Sequence, residues 1–332
     1  VGSEMCIRDS DADEEAQLPP DLVEKGWELG FIQASIPEEY GGFGERSVVT
    51  GVLAVEEMAY GDLAGALGVL TPGLFSIPIA LVGSEEQKAT YLPDIVESEW
   101  RALTAALIEP NFDFDPSDLR TTAIEDGDAY VISGEKVYVP YAADAEALIV
   151  YARLGDQTQG FIVKKGMEGL EVGERQELLG VYALPIYPVA FKDLRVLKTD
   201  RLGGPDGHDF APVLDASRVA MAGMAVGLSR AAFEYSRDYA KEREVFGVKV
   251  AQKQVIAFML AEMATEIEAI RLLAWEAAWM LDNQKEDASK QAYLALIGAT
   301  DMAMMVTDRA VQILGGHGYI REHPVELWMR NG

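Results

Sequence analysis

The chain has 332 residues, 49% of them hydrophobic and 25% charged, enough for about two domains with cores of their own. Its 28 Lys and Arg stand against 55 Asp and Glu, a net charge of −27, which argues against nucleic acid or an anionic membrane as the main partner. One cysteine, Cys6, excludes an intrachain disulfide, and three scattered histidines (His208, His317, His323) without a second thiol leave no metal site expected.

The acidity is uneven. Residues 1–102 hold 5 basic and 20 acidic side chains, residues 103–210 hold 10 and 19, and residues 211–332 hold 13 and 16. An anionic ligand is least repelled by the last third, where one local cation suffices to hold it, and the acidic first third reads as solvated surface. The opening decapeptide VGSEMCIRDS has no periodicity and lacks the apolar core of a signal peptide. It reads as a translated adapter and is set apart from the fold. No apolar run reaches the roughly 18 residues of a membrane span, and a cytoplasmic location is expected.

Residues 11–103 read as an N-terminal helical region. Pro19-Pro20 stops a first piece, and Leu22–Gly30 forms a short amphipathic helix. After the loop Ile36-Pro37-Glu38-Glu39-Tyr40-Gly41-Gly42-Phe43-Gly44, Val48–Tyr60 forms a helix with Val49, Leu53, Val55, Met58 and Ala59 as its apolar residues. Gly65–Gly83 is nearly all apolar and is broken by Pro72 and Pro78. Glu85–Ser98 is a third helix, its two leading glutamates suiting the N-terminal dipole and Pro93 kinking or splitting it.

Residues 104–210 turn strand-like. Tyr130–Ile132, Ser133-Gly134 and Lys136–Val139 read as a hairpin, and Ala147–Arg153, Gly160–Val163, Gly169–Val172 and Val189–Val196 as further short strands of a sandwich or barrel. Residues 211–332 return to helix. Ala211–Arg243, Gln252–Asp282 and Ala288–Leu314 carry apolar residues at helical spacing, among them Phe258, Met259, Met263, Ile267, Ile270 and Leu273 on the second. The third ends on the helix-stop pair Gly315-Gly316. Long helices with short links make an antiparallel bundle, so the fold class is α+β.

Four segments carry more than a fold class: Ile36-Pro37-Glu38-Glu39-Tyr40-Gly41-Gly42, Ile108-Glu109-Pro110, Glu242-Arg243-Glu244-Val245-Phe246-Gly247, and Gln312-Ile313-Leu314-Gly315-Gly316-His317-Gly318-Tyr319 running on into Pro324-Val325-Glu326. Their order and spacing over residues 20–332 resemble the acyl-CoA dehydrogenase family. The resemblance implies a flavoprotein of fatty-acid β-oxidation, usually a tetramer, with FAD between the β-domain and the bundle and its ADP half reaching a neighbouring subunit. It implies that a glutamate removes the α-proton of an acyl-CoA, that the β-hydrogen passes as hydride to flavin N5, and that an electron-transfer flavoprotein takes the electrons.

Carried over residue by residue, the resemblance sets Arg243 on the FAD pyrophosphate, Phe246 and Gln254 at the adenine end, and Gln312, Gly315, Gly316 and Gly318 on the other wall. The plainer alternatives are an Arg243 pair with Glu242 or Glu244, ordinary packing for Phe246, and a simple helix stop for the glycines. His317 reads as filler. On the flavin-ring side, Tyr138 keeps an aromatic that can pack on the ring, but Ile108 replaces a hydrogen-bonding threonine and Pro140 lacks both a hydroxyl and an N–H. Phe114 stands where the family has a serine; the alternative for it and Phe112 is loop packing. Arg218 and Ser217 match positions near the acyl pocket, and Glu234 and Glu262 read as solvated or paired. No catalytic residue is assigned within the chain: the resemblance puts the base beyond Gly332, so the chain reads as incomplete at both ends. A kept ADP side with an altered ring side also fits a second reading, a non-catalytic partner subunit of a heteromeric acyl-CoA dehydrogenase that lends its ADP side to a neighbour's FAD.

Overall fold

A computed structural model describes residues 11–44 and 46–332; the adapter reading of residues 1–10, with Cys6, lies outside the described residues. After a short helical stretch over 11–15 come α1 (Pro20–Glu28), α2 (Val48–Gly61), α3 (Leu63–Leu70), α4 (Gly73–Val82) and α5 (Glu85–Glu97). Pro20 opens α1 rather than stopping the piece before it, because a missing N–H costs nothing at the first helical position. Pro72 does separate α3 from α4, but Pro78 and Pro93 sit inside α4 and α5. Tertiary packing outweighs the local cost: Pro78 is buried beside Phe75 and Ile79, which are 1% and 0% exposed. α5 starts with a Ser84–Gln87 capping box. In α2 the buried face is Val48, Val52, Val55, Glu56 and Ala59, while Leu53 points outward.

The expected sandwich or barrel takes the form of one seven-stranded mixed sheet built from β1 (Leu103–Ala106), β2 (Thr122–Asp126), β3 (Ala129–Pro140), β4 (Ala147–Leu154), β5 (Gln157–Lys164), β6 (Leu170–Val172) and β7 (Ile186–Leu197). The order is β1-β4-β2-β3-β7-β6, with β5 against β4. Ser133-Gly134 is not a hairpin turn. Residues 129–140 form one strand, and the register with β7 shifts between Ile132 and Gly134. A Cβ on Gly134 would stand 2.7 Å from the Thr121 Cα, so this glycine permits a close backbone approach at a bulge. The true turn is Gly127-Asp128, between the paired Asp126 and Ala129.

The bundle consists of α6 (Ala211–Glu242), α7 (Gln254–Asp282), α8 (Ala288–Leu314) and α9 (Val325–Asn331), with a small hairpin of β8 (Glu244–Val245) and β9 (Val248–Lys249) joining α6 to α7. Small side chains line the helix contacts: Ala222, Ala232, Ala277, Ala292, Ala295, Ala299 and Ala310 are all fully buried. Of the expected α7 stripe, Met263, Ile267 and Ile270 are buried, whereas Phe258 is 59% exposed. Against the sequence expectation, α6 is long and apolar enough by composition to cross a bilayer. It packs against α2, α7 and α8, and half of its apolar stretch is buried there, which is how a bundle's central helix passes the same test.

Candidate functional site

α6 and α8 finish at the same end of the bundle, because Tyr239 and Tyr235 near the end of α6 hydrogen-bond His317 and His323 beyond α8 (hydroxyl to Nδ1 2.9 and 2.7 Å). α7 begins there too, its Glu262 pairing with Arg309 of α8 at 2.6 Å. Arg243, Phe246, Gln254, Gln312, Gly315, Gly316 and Gly318 therefore gather at one end of the bundle.

Arg243 leaves helical geometry at the end of α6, and its N–H still donates to the Tyr239 carbonyl at 2.9 Å. Its guanidinium is exposed and has no ion pair among the described residues; Glu244 pairs with Lys249 instead, at 2.9 Å. Phe246 does not pack: its ring is 94% exposed. The two-residue loop Phe246-Gly247 has positive φ at both residues (56° and 79°), the conformation of a tight hairpin turn, and the ring sits 5.4 Å from the Lys253 ammonium.

The glycines divide into two kinds. A Cβ on Gly315 or Gly316 would meet nothing within 4 Å, so this backbone is open to a ligand. A Cβ on Gly318 would lie 2.5 Å from the Val311 carbonyl oxygen, so packing by itself requires a glycine there. His317 is more than filler: its ring stacks on His323 with centroids 5.3 Å apart. Burial first, and then the neighbouring His317, hold His323 below the usual imidazole range, with Glu322 opposing.

Ser217 and Arg218 lie near the other end of α6. From residue 217 to 243 the helix rises about 39 Å, so Arg218 and Arg243 of one chain cannot border one small-molecule pocket. Ser217 is exposed. Arg218 is not a free surface arginine, since it bonds Asp215 at 3.1 Å and lies 4.9 Å over the Tyr293 ring. Asp215, 2% exposed, also accepts a hydrogen bond from Ser289 of α8. Glu234 and Glu262 are both engaged, by Tyr60 and Arg309.

On the sheet, Ile108 and Tyr138 present partly exposed side chains. Tyr138 has φ 58° where the β3–β7 register shifts again, and its N–H donates to Gln176 Oε1 at 3.1 Å. Pro140 pairs with Ile186 at the strand end. Phe112 stands in solvent, whereas Phe114 packs into the core between the N-terminal helices and the sheet, so loop packing describes only the second ring.

The motif residue Glu109 makes a buried ion pair with Lys136 at 2.9 Å, the side chains being 2% and 0% exposed. Burial alone would raise the Glu109 carboxyl, but the Lys136 ammonium and the N–H groups of Arg120 and Thr121 outweigh it and take it down to about 2. Burial draws Lys136 down to about 8 against the pull of Glu109. Sequence reasoning missed this pair; the only available signal was a lysine within a strand.

A cavity of about 700 Å³ opens elsewhere, between the N-terminal segment and the sheet, lined among others by Trp27, Trp100, Tyr141 and Arg175, and it holds none of the expected site residues. Among the described residues no group of three His, Cys, Asp or Glu side chains is placed to hold a metal ion.

Known proteins match the whole length. Family models for the acyl-CoA dehydrogenase N-terminal, middle and C-terminal domains match residues 4–99, 104–194 and 210–331. The mitochondrial short-chain specific acyl-CoA dehydrogenase of Sus scrofa is 34% identical over 327 residues, covering 96% of this chain and 79% of that protein. The caffeyl-CoA reductase-Etf complex subunit CarC of Acetobacterium woodii is 33% identical, covering 97% and 86%. The structure of butyryl-CoA dehydrogenase from Megasphaera elsdenii superposes with a TM-score of 0.87 at 32% identity, covering 98% of this chain and 88% of that one. With all three domains matched in order on a fold of helices, mixed sheet and bundle, the chain belongs to the acyl-CoA dehydrogenase family.

Proposed function

We propose that this protein is an FAD-dependent acyl-CoA dehydrogenase that introduces an α,β double bond into an acyl-CoA thioester. The observation that carries the reading is the bundle end, where Arg243, exposed and without an ion pair among the described residues, lies at the same end as the open backbone of Gly315 and Gly316. A guanidinium fork matches phosphate oxygens, and glycine lets backbone come close to a ligand. This end fits the diphosphate half of FAD, with Phe246, Gln254 and Gln312 beside it. The sheet offers the exposed Tyr138 ring to the flavin, while Ile108 and Pro140 contribute no side-chain donor.

When bound, FAD supplies the hydride acceptor. The chain's own residues bind and orient. Arg218, held by Asp215 and Tyr293, and the exposed Ser217 border the acyl-thioester side in this reading. Ser217 Oγ is not basic enough to take the α-proton, and Asp215 already serves Arg218 and Ser289. Neither residue serves as the base in this proposal.

The domain division 11–103, 104–210 and 211–332 belongs to the same proposal, as do a cytoplasmic location and electron transfer to an electron-transfer flavoprotein. So does assembly as a tetramer. Phe258, Leu272 and Trp279 on α7, and Leu294, Ile297 and Met304 on α8, leave apolar side chains on the outer bundle face, where a second copy would cover them. The separation of Arg218 from Arg243 likewise suits a cofactor shared between copies. Relatives named as dehydrogenases and reductases favour an enzyme over a non-catalytic partner subunit.

The test is the visible spectrum of the purified protein. A yellow protein with near-stoichiometric FAD that bleaches on adding an acyl-CoA is expected. A colourless protein that gains FAD only with a second, different subunit would overturn the proposal in favour of the partner reading.

A further inference from the structure

Three chain segments meet at the Glu109–Lys136 pair. Lys136 Nζ donates to the Leu107 carbonyl and to Glu109 Oε1, both at 2.9 Å, and so grips the segment that leaves β1. The Glu109 carboxylate accepts from the N–H groups of Arg120 and Thr121, each at 2.8 Å, and so fixes the segment that enters β2. The Ile108 carbonyl accepts from the N–H of Val137 at 2.8 Å, tying the first segment to β3 next to Lys136.

The side chains immediately beside these anchors face outward. Ile108 precedes Glu109 and is 41% exposed; Tyr138 lies two residues after Lys136 and is 47% exposed. In a regular strand Lys136 and Val139 would face opposite sides. Here both are buried, at 0% and 1%, because the register with β7 shifts between them. That shift sets Tyr138 at φ 58°, a conformation an aromatic residue keeps only when its surroundings hold it. Lys136 on one side and the Tyr138 N–H bond to Gln176 on the other do the holding.

We propose that Glu109 and Lys136 are positioning residues for the flavin-ring side: their buried pair locks the backbone that presents Ile108 and Tyr138 to the cofactor. This inference rests on the reading above that the flavin ring lies against Tyr138. Removing either partner leaves the other buried without its counter-charge, so the backbone at 107–109, 120–121 and 136–138 relaxes as a unit. None of the pair's hydrogen bonds among the described residues reaches the bundle end, which is expected to keep its geometry.

The test uses the full chain as wild type, E109Q, K136M and the charge-keeping E109D. Backbone hydrogen exchange is read without ligand, and FAD affinity, ADP affinity and the visible circular dichroism of bound flavin are read with it. E109Q and K136M are expected to speed exchange at Arg120, Thr121 and Val137, to weaken FAD binding at least tenfold and to change the flavin dichroism. They are expected to leave ADP affinity and exchange in α6–α8 at wild-type values, and E109D is expected to recover part of the loss. Unchanged exchange at the three amides, or equal losses of FAD and ADP affinity, would overturn the positioning role. If wild type itself takes up no FAD, the reading of the site falls, and exchange in the ligand-free chain still decides whether the pair fixes Ile108 and Tyr138. Should both neutral variants fail to fold, exchange in E109D decides alone: slow, wild-type exchange at all three amides there would overturn the role.

Discussion

The bundle end and the flavin-ring side of the sheet are built in opposite ways. At the bundle end the groups that matter are not engaged with one another: Arg243 is unpaired among the described residues, the Phe246 ring is 94% exposed, and Gly315 and Gly316 border open space. On the sheet the decisive groups are consumed internally, Glu109 and Lys136 being almost wholly buried in each other and in backbone hydrogen bonds. The first region can meet a ligand's charge directly. The second can only shape the surface that a ligand meets. Substitutions should therefore separate the two, costing affinity without stability at Arg243, Phe246, Gly315 and Gly316, and stability with affinity at the Glu109–Lys136 pair.

The largest expected effect is on the sheet. Lys136→Met strands a buried carboxylate and should cost about 3–5 kcal/mol of unfolding free energy in urea titration; a loss below about 1 kcal/mol would mean the pair is not structural. Next comes the contrast between two glycines two residues apart, Gly316 and Gly318. Gly318→Ala drives a methyl into the Val311 carbonyl 2.5 Å away and should cost about 1–3 kcal/mol. Gly316→Ala has open space and should change stability by no more than about 0.5 kcal/mol, while FAD binding falls. Equal thermal shifts in both would break the distinction.

Arg243→Ala should leave the melting temperature at the wild-type value and weaken FAD by roughly 10–100-fold, the worth of a charge-assisted contact of about 1.5–3 kcal/mol. The pH dependence supplies a separate check. Glu109 falls from 4.5 to about 2 on folding, so the stability it contributes is complete above pH 4.5 and is lost as pH falls toward 2. E109Q should flatten that part of the acid-unfolding curve. His323 is held below 6.5, so the folded form binds its proton later than the unfolded chain does. Its contribution is complete above pH 6.5 and fades as the pH falls through the lowered value, a slope that H323Q should reduce.

Much of the fold was legible because local chemistry and packing agreed. Ala288–Leu314 is bounded in the structure as in the sequence, since its apolar period runs unbroken to a glycine with φ 59°. The misreadings share a cause: residues that punctuate loops were placed by tertiary contacts. Pro78 and Pro93 sit inside helices because burial outweighs the lost hydrogen bond, and Gly134 marks a bulge because Thr121 crowds it. Leu103–Ala106 and Thr122–Asp126 were not read as strands, being short and without a run of β-branched residues. In the candidate site, motif spacing located Arg243 and the glycines, yet it could not say that Arg243 has no ion pair among the described residues or that Gly318 serves packing. Nor does a lysine in a strand announce its partner, because Glu109 lies 27 residues away in sequence and only the sheet brings the two together.

In the proposed assembly one cofactor meets the bundle end of one copy and the sheet side of another. Co-assembling R243A chains with E109Q chains tests it most directly, because a mixed assembly contains sites with both halves intact. The mixture is expected to regain FAD uptake which neither variant shows alone at the same FAD concentration. Uptake no greater than the average of the two separate variants would contradict it.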